Sequence, residues 1–386
     1  MKLKDEFPLT KDKVYFNTAA IGAVPASTIQ TVEDYTQDLL KVMRGQGDVM
    51  AGPETWKEKR LNSKNLLAEV IGAKPEEIAF VPNCTTGINT AMNMIPIKPG
   101  QNIVTTDLEF GMGFIVVNAQ KRRGAKTRFI KGSNGIVTTD QFEKAIDDDT
   151  AVVYIDNPAW FNGLLFDVKT ISELAHDHGA HLVIDTTQSF GSLDWNIDTK
   201  GVDFAATSTY KWLMGGIFAI SAGFLYINEE HLDTYKPLHV SGSTATRNQI
   251  EDSADGYAQY DLDWKEGIGK YETYNRMETS YVAVENSMRV LLDHGMKNVE
   301  NQIKKVDTVL VDGLLEAGYE LQTPADEAQR IYLNVKVPDP GETVKELQKH
   351  DVHVSSRVGG VRIAPHFYNT KDEAETLLEK IKEVTK

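Results

Sequence analysis

Residues 170–188 read TISELAHDHGAHLVIDTTQ and contain the clearest helix pattern of the chain, followed at once by a strand pattern. Thr170, followed three residues later by Glu173, is the capping box that opens a helix. An apolar run that begins at Leu182 follows at once, as expected of a strand buried on both faces, and it ends at Asp185. The stretch therefore predicts a helix that leads directly into a buried strand with a carboxylate at its tip.

The same alternation of strand and helix runs from about residue 75 to residue 230. Thr138 with Gln141 opens another helix, which leads after an acidic turn into the strand at Val152. Such alternation predicts an α/β fold, in which a mostly parallel sheet is covered by helices and functional groups lie on loops at the carboxyl ends of the strands. The short apolar runs that fit its buried strands are 79–81, 103–104, 152–155, 182–184, 204–207 and 224–227.

The last third of the chain follows a different pattern. Long helical stretches replace the alternation, followed by a strand-like run at 331–337 and a final helix capped by Thr370. These elements indicate a smaller α+β domain. We expect a large domain at residues 15–277 and a small domain built from residues 1–14 and 278–386.

Composition excludes several classes of protein. With 386 residues, of which 41% are apolar, the chain can bury a large core, so a disordered or fibrous chain is excluded. The 41 Lys and Arg against 56 Asp and Glu give a net charge of -15, which argues against nucleic acid or anionic lipid as a partner. No stretch approaches the ~20 apolar residues of a membrane span, and residues 1–12 lack the apolar core of a signal peptide. Cys84 is the single cysteine, so no intrachain disulfide forms, and we expect a cytoplasmic protein that acts on small molecules.

Asp185 and Lys211 are the two strand-end residues best suited to chemistry. Lys211 follows the strand at 204–207 among aromatic and apolar neighbours, where desolvation lowers the pKa of a lysine and makes it a nucleophile or a base. A strand-end aspartate also serves as a turn former or helix cap, and a loop lysine as a plain surface residue. Taken one at a time, these two residues leave both interpretations open.

Two further segments are suited to holding anions. Residues 83–89, NCTTGIN, combine hydroxyls, a glycine and a helix start, which can hold a phosphate, although a plain helix N-cap uses the same residue types. Arg362 lies between apolar neighbours, where an arginine is either an internal ion-pair partner or a fork for a carboxylate. There is no Walker sequence, and Gly111 with Gly113 lacks the third glycine of a dinucleotide fingerprint.

A lysine for an imine, an acid for a pyridinium nitrogen, a phosphate cradle and an arginine for a carboxylate are together the equipment of a pyridoxal 5'-phosphate (PLP) enzyme. On these residues the sequence resembles the class V aminotransferases, a family that includes cysteine desulfurases, selenocysteine lyase and isopenicillin N epimerase. The resemblance runs from about Tyr15 to the end of the chain, and its anchors are residues 15–20 (YFNTAA), 85–89 (TTGIN), 185–188 (DTTQ) and 208–211 (STYK). It implies the PLP-dependent transferase fold type I, with a large domain around a mostly parallel, mixed seven-stranded sheet and a smaller α+β C-terminal domain.

The resemblance implies a role for each matched residue around the cofactor ring. Lys211 would form the Schiff base with PLP and later move protons, and Asp185 would pair with the pyridinium nitrogen. Gln188 and Asn157 would lie near the ring hydroxyl. Phe110 would stack on the ring where relatives commonly have histidine, and unlike histidine it cannot shuttle a proton.

The resemblance also implies which residues contact the phosphate and the substrate. The residues expected around the phosphate are Thr85, Thr86, Ser208 and Tyr210. Thr273 would complete the phosphate site of a partner chain, since relatives of this fold type are homodimers with shared active sites. Arg362 would grip the substrate carboxylate, and Asn17 would also contact the substrate.

We expect an amino-acid substrate and predict transamination as the reaction, with epimerisation or Cα/Cβ lysis as alternatives. A conventional cysteine desulfurase is disfavoured, because the segment between Asp351 and Arg362 lacks the cysteine that persulfide chemistry requires. A phosphate-ligand binding protein on the same fold is the non-enzyme alternative. His176, His178 and His181 resemble a metal cluster, but their positions on helix and strand do not favour convergence, and we predict no metal site.

Overall fold

The computed structural model describes residues 3–49, 54–216, 222–246, 263–273 and 277–385. Its strands are β1 (Val14–Tyr15), β2 (Ile78–Val81), β3 (Asn102–Thr106), β4 (Lys126–Ile130), β5 (Thr150–Asp156), β6 (His181–Asp185), β7 (Phe204–Ser208), β8 (Gly223–Ile227), β9 (Leu333–Lys336), β10 (Val352–His353), β11 (Ser355–Arg357) and β12 (Gly360–Ile363). Its helices are α1 (Leu3–Glu6), α2 (Ala26–Met43), α3 (Glu54–Ile71), α4 (Cys84–Met94), α5 (Gly111–Ala119), α6 (Thr139–Ala145), α7 (Val168–Asp177), α8 (Glu278–His294), α9 (Met296–Glu316), α10 (Pro340–Gln348) and α11 (Lys371–Val384). Within the described ranges, no helix combines the length and apolarity needed to cross a membrane.

A seven-stranded mixed sheet forms the centre of the molecule, in the order β2-β8-β7-β6-β5-β3-β4. The strands β4, β3, β5, β6 and β7 run parallel to one another. β8 runs antiparallel to both of its neighbours, β7 and β2. Parallel neighbours need long crossover connections, and α5, α6 and α7 lie in the connections between β3 and β6. The predicted α/β class with a mostly parallel sheet is confirmed.

Both faces of this sheet are covered, as β5 illustrates. Val153 and Ile155 belong to one apolar cluster, whereas Val152 and Tyr154 belong to another. Side chains alternate between the two faces of a strand, so the two clusters lie on opposite sides of the sheet. Burial on both faces explains why the strand sequence is a continuous apolar run without polar alternation.

Capping side chains set the helix boundaries. The predicted capping boxes at Thr138 and Thr370 open α6 and α11. The predicted opening of a helix at Thr170 is wrong, because α7 begins at Val168. Its N-cap is Asp167, whose carboxylate accepts the Thr170 N–H at 3.2 Å. The carboxylate three residues upstream takes the capping position that the hydroxyl was expected to fill.

The C-terminal part of the chain builds a smaller core of its own. An antiparallel sheet in the order β11-β12-β9 shares an apolar cluster with α9 and α11. β1 pairs in parallel with β10, which ties the N-terminal segment to this part, and α8 packs against α2 and α3. The division into a large domain at 15–277 and a small domain of 1–14 and 278–386 stays a prediction.

Candidate active site

The carboxyl ends of β5, β6 and β7 meet at a cleft with about 430 Å³ of space, part of it open to solvent. Asp156 ends β5, Asp185 ends β6 and Ser208 ends β7. Because parallel strands end at the same edge of a sheet, these polar side chains from distant parts of the sequence come together. The predicted site residues that line this cleft are Thr85, Phe110, Asp185, Gln188, Ser208, Tyr210 and Lys211.

Lys211 is half-buried in this cleft. Its Nζ lies 5.7 Å from the centroid of the Phe110 ring. Burial lowers the pKa of Lys211 to about 8, and the positive charge of Arg362 adds to the effect. Since the neutral amine is the nucleophile, a lysine with this pKa is reactive near neutral pH, whereas an ordinary surface lysine is not.

The loop that carries Lys211 is packed against the N-terminal segment. Gly22 donates its N–H to the Tyr210 carbonyl at 2.9 Å, and a Cβ on Gly22 would come within 1.9 Å of the Lys211 carbonyl oxygen. A residue without a side chain is required for this approach. On the same loop, Trp212 is fully buried and donates its indole N–H to Gln188 Oε1 at 2.7 Å. These contacts fix the backbone on both sides of the lysine.

Asp185 and Gln188 present a carboxylate and an amide to the cleft. Asp185 is half-buried, and its Oδ1 accepts the Thr187 N–H at 2.8 Å. Gln188 donates from Nε2 to the Ala19 carbonyl at 3.1 Å. An amide nitrogen carries two N–H groups, so Gln188 retains a second donor for a ligand.

The N-terminus of α4 faces the cleft at the predicted phosphate loop. Asn83 caps this helix, and its Oδ1 accepts the Thr86 N–H at 2.9 Å. Ser208 Oγ accepts the Cys84 N–H at 3.0 Å, which joins the end of β7 to the helix start. Thr85 lines the cleft there, and the partial positive charge of a helix N-terminus favours a phosphate. The Thr86 hydroxyl donates to Asn83 at 3.1 Å instead and does not line the cleft.

Asp156 lines the cleft but was not among the predicted site residues. It follows the apolar run of β5 as Asp185 follows that of β6, so the same strand-end signal could have found it. Asp156 accepts the Phe110 N–H on Oδ2 and the Tyr154 hydroxyl on Oδ1 at 3.0 Å. Burial raises the pKa of Asp156 to about 7, and the nearby Asp185 adds to the effect. Glu109 is buried beside it, and burial together with Asp156 raises the pKa of Glu109 as well.

Arg362 and Asn17 contribute two buried polar atoms that are left unsatisfied. Arg362 lies on β12, is 2% exposed and donates to the carbonyl of Trp160, a residue that lines the cleft, at 2.7 Å. Within the described part of the chain, Arg362 Nε and Asn17 Oδ1 have no hydrogen-bond partner. Asn17 pairs with Ala364, two residues beyond Arg362. Buried donors and acceptors without partners are unfavourable, so these atoms indicate a place for a polar ligand.

Three of the predicted cofactor-binding residues, Thr86, Asn157 and Thr273, lie outside the cleft lining. Asn157 accepts the Phe166 N–H on its Oδ1 at 3.0 Å, so its side-chain oxygen organises the loop after β5. Thr273 is half-buried and lies in the segment where the family resemblance implies a contact with a partner chain. The roles assigned to these three residues stay predictions.

The residues of the cleft fit PLP. An amine on Lys211, a carboxylate on Asp185 and a helix N-terminus at Thr85 surround one space. They match the aldehyde, the ring nitrogen and the phosphate of PLP in chemical type. Arg362 Nε, which has no hydrogen-bond partner among the described residues, is a donor of the type that binds carboxylates.

The sequence model of the family described as "Aminotransferase class-V" matches residues 14–377, nearly the whole chain. The chain belongs to this family. As a class-V aminotransferase-family protein it is a PLP-dependent enzyme, which confirms the predicted family, the predicted cofactor and the prediction of an enzyme.

Proteins similar to this class-V enzyme carry names for different reactions. A probable cysteine desulfurase of Methanothermobacter thermautotrophicus is 25% identical, over 99% of this chain and 97% of that protein. The uncharacterized aminotransferase YcbU of Bacillus subtilis is 25% identical, over 97% of this chain and 95% of that protein. A solved complex of the cystine C–S lyase C-DES with cysteine persulfide is 19% identical, with a TM-score of 0.86 over 98% of this chain and 100% of that chain. The predicted PLP-dependent fold type I is confirmed.

Proposed function

We propose that this enzyme is an aminotransferase that acts on an α-amino acid through Lys211. The observation that supports this proposal is that the amine of Lys211 lies beside the Phe110 ring. The amine can carry a proton, whereas the ring has no proton to transfer. Transamination needs one proton carrier that serves both Cα and the cofactor. Epimerisation needs a second donor on the opposite face of Cα, and Phe110 cannot be that donor.

The cofactor would be held by the ends of β6 and β7 and by the start of α4. Asp185 would pair with the ring nitrogen, and the free amide N–H of Gln188 would reach the ring hydroxyl. Thr85, Ser208 and Tyr210 would surround the phosphate. When bound, PLP supplies an aldehyde that condenses with an amine and a ring that accepts the electron pair left at Cα.

Lys211 is the residue that moves the proton. Its lowered pKa leaves Nζ neutral in a substantial fraction of molecules, and neutral Nζ accepts a proton from the substrate Cα. The same Nζ, once protonated, returns that proton. Asp156 holds its own proton more tightly than an ordinary aspartate, so it stabilises the protonated form of Lys211 less than an ordinary aspartate would.

Arg362 would orient the substrate. A guanidinium binds a carboxylate through parallel N–H donors, which fixes the rotation of the substrate about its Cα. The Trp160 carbonyl holds Arg362 through an Nη donor, which leaves Nε for the substrate. Asn17, which pairs with Ala364 two residues beyond Arg362, has an acceptor in Oδ1 that suits an N–H group of the amino acid.

A lyase that expels a β-substituent from the substrate is the second candidate. It is supported by the similarity to the C–S lyase C-DES, and its chemistry uses the same removal of the Cα proton by Lys211. It requires no protein thiol, in contrast to a conventional desulfurase. Cys84 lines the cleft, but it is buried and donates its S–H to the Ala206 carbonyl at 3.3 Å, so its thiol is a poor nucleophile for sulfur from a substrate.

We also propose that the enzyme is a cytoplasmic homodimer in which Thr273 reaches the phosphate site of the partner chain. Four apolar side chains at the start of α5, beside the cleft, are between 40% and 58% exposed, namely Phe110, Met112, Phe114 and Ile115. A patch of this kind is typical of a contact surface between chains. Light scattering of the protein with bound PLP checks the assembly.

The function is tested in two steps. Purified protein mixed with PLP should gain an absorption band near the visible edge that borohydride abolishes. Lys211→Ala should not gain this band, whereas Lys345→Ala, which removes an exposed lysine, should gain it normally. Protein that does not respond to PLP at all would overturn the proposal.

The second step separates the two reactions. The enzyme is incubated with a panel of amino acids in deuterated water, and Cα exchange, keto-acid, ammonia and sulfide are followed together. Keto-acid without ammonia identifies an aminotransferase, because the amino group stays on the cofactor. Keto-acid with ammonia, and sulfide from a sulfur amino acid, identifies the lyase and rejects transamination.

A further inference from the structure

A cluster of histidines surrounds one aspartate at the end of the sheet opposite the cleft. Asp203 immediately precedes β7, and His181 is the first residue of β6. His231 ends a short 3₁₀ helix, Glu229–His231, and the exposed fractions of the His231 and His181 side chains are 15% and 22%. β6 carries His181 at its start and Asp185 at its end, roughly 13 Å away at ~3.3 Å per residue. The cluster is therefore separate from the PLP site.

The two carboxylate oxygens of Asp203 have different neighbours. Oδ2 accepts the Leu182 N–H at 2.7 Å and is 2.8 Å from His176 Nε2. Oδ1 faces His231 Nε2 at close range and His181 Nδ1 at 3.6 Å. Within the described residues, these three ligand atoms of His181, Asp203 and His231 lie within 4.8 Å of one another.

The separation between His181 Nδ1 and Asp203 Oδ1 favours a shared ion. At 3.6 Å it exceeds the length of a normal N–H···O hydrogen bond. Two donor atoms bound to one tetrahedral zinc ion, with bonds of about 2.0–2.1 Å, lie roughly 3.3 Å apart. Small shifts of two imidazole rings are therefore sufficient to place all three atoms around one cation.

The rings are held in orientations that suit ligation. The Tyr235 hydroxyl lies 2.7 Å from His181 Nε2, so the remaining ring nitrogen, Nδ1, faces Asp203. His231 stacks on Phe204 with centroids 5.3 Å apart and stands perpendicular to His181. Metal-ligating histidines are held in this way by a partner on the second nitrogen or by packing.

We propose that His181, Asp203 and His231 bind a divalent cation of the zinc type. Two imidazole nitrogens and one carboxylate oxygen are ligands that zinc accepts, and partial exposure of both histidines leaves a fourth position for water. His176 bonds the other carboxylate oxygen and positions Asp203 without entering the coordination sphere. The ion would join β6, β7 and the 3₁₀ helix Glu229–His231 and so stabilise the amino ends of the strands that carry the active site.

Two of the three histidines at positions 176, 178 and 181 belong to this cluster. His176 and His181 do converge, whereas His178 bonds Asp148 at 2.7 Å and takes no part. The other two proposed ligands, Asp203 and His231, lie far from His181 in the sequence. His178 provides a matched control, since it is a nearby histidine outside the cluster.

The test uses PLP-loaded enzyme that has been treated with a chelator and then titrated with zinc chloride. We expect saturable binding of one ion per chain and a rise in the thermal unfolding temperature. His178→Gln should bind zinc with the same affinity and stoichiometry, whereas His181→Gln and His231→Gln should each bind at least tenfold more weakly. The visible band of the cofactor should not change, because the ion lies away from the PLP site.

Cobalt(II) provides a second readout on the unaltered chain. We expect the intense visible d–d absorption of a low-symmetry site with nitrogen ligands, displaced by one equivalent of zinc. Absence of saturable one-to-one binding would overturn the proposal, as would an equal loss of affinity in His178→Gln and His231→Gln. The cobalt spectrum is measured on the unaltered chain, so this test does not depend on whether the variants fold.

Discussion

Asp156 and Asp185 are direct register partners on the neighbouring parallel strands β5 and β6. Their carboxyl groups both line the cleft. Burial raises the pKa of Asp156 to about 7, with Asp185 adding to the effect, so Asp156 favours its protonated form. A proton on Asp156 spares these two adjacent carboxyls the repulsion of two negative charges.

The pH dependence of stability should reveal the proton on Asp156. Its pKa in the folded protein is raised above the ordinary value of 3.8, so its stabilising contribution is present below that value and is lost as the pH rises toward about 7. Between about pH 5 and about pH 8, the free energy of unfolding of cofactor-free protein should fall on the order of 2 kcal/mol more in wild type than in Asp156→Asn. Urea unfolding at both pH values measures this. Asp12→Asn, at an exposed position, should keep the wild-type dependence; parallel curves for Asp156→Asn and wild type would contradict the prediction.

Gly22→Ala should disturb the active site without touching the cofactor. The added Cβ would come 1.9 Å from the Lys211 carbonyl oxygen, so the loop or the N-terminal segment has to move. We expect a loss of about 1–3 kcal/mol in stability and weaker PLP binding, measured by thermal unfolding and by titration of the visible band. Gly111→Ala is the control, because a Cβ there meets nothing within 4 Å. Equal PLP affinity in both variants would show that the close approach is unimportant.

Arg362→Lys should impair substrate binding more than the chemical step. Lysine keeps the charge but lacks the planar fork, and charge-assisted hydrogen bonds contribute about 1.5–3 kcal/mol. KM for the amino acid should rise roughly tenfold to a hundredfold, while PLP binding is unchanged. The control substrate is the amine that corresponds to the amino acid without its carboxylate. The preference for the amino acid over this amine should be far larger in wild type than in the variant. The role of Arg362 is refuted if both enzymes discriminate equally.

Cys84→Ala should retain activity. Burial raises the pKa of the Cys84 thiol well above its ordinary value, and the S–H donates to the Ala206 carbonyl, so the group is a poor nucleophile. Native protein should resist alkylation by iodoacetamide, and the variant should turn over amino acids within about threefold of wild type. If the variant lost a sulfide-releasing activity and the native thiol carried a persulfide, Cys84 would be assigned a catalytic role.

Local sequence patterns were sufficient for the centre of the fold and for much of the cleft. Strand ends followed by polar residues identified Asp185 and Lys211, because the carboxyl ends of parallel strands gather at one edge. Asp156 shows the same pattern at the end of β5, and unlike its neighbour Asn157 it lines the cleft. The start of α7 was misplaced because Thr170 and Asp167 are both capable caps, and sequence alone does not rank them.

The remaining features depend on contacts between distant segments. The approach of Gly22 to Lys211 and the unsatisfied Nε of Arg362 arise only when the N-terminal segment, the central sheet and β12 have assembled. The convergence of His181 and His231 on Asp203 likewise follows from strand order, which periodicity does not specify. Sequence patterns therefore predict which residues are chemically suited, and topology decides which of them meet.

The pairing of β1 with β10 and of Asn17 with Ala364 has a consequence for biosynthesis. The ribosome makes the N-terminal segment first, but its partners emerge only after all strands of the central sheet have been made. Until then the segment that carries Asn17 has nothing to pair with, and Arg362 has not been made. The nascent chain can therefore fold its central sheet before Asn17 and Arg362, the residues proposed to bind the substrate, come together, so full enzymatic competence follows formation of the sheet.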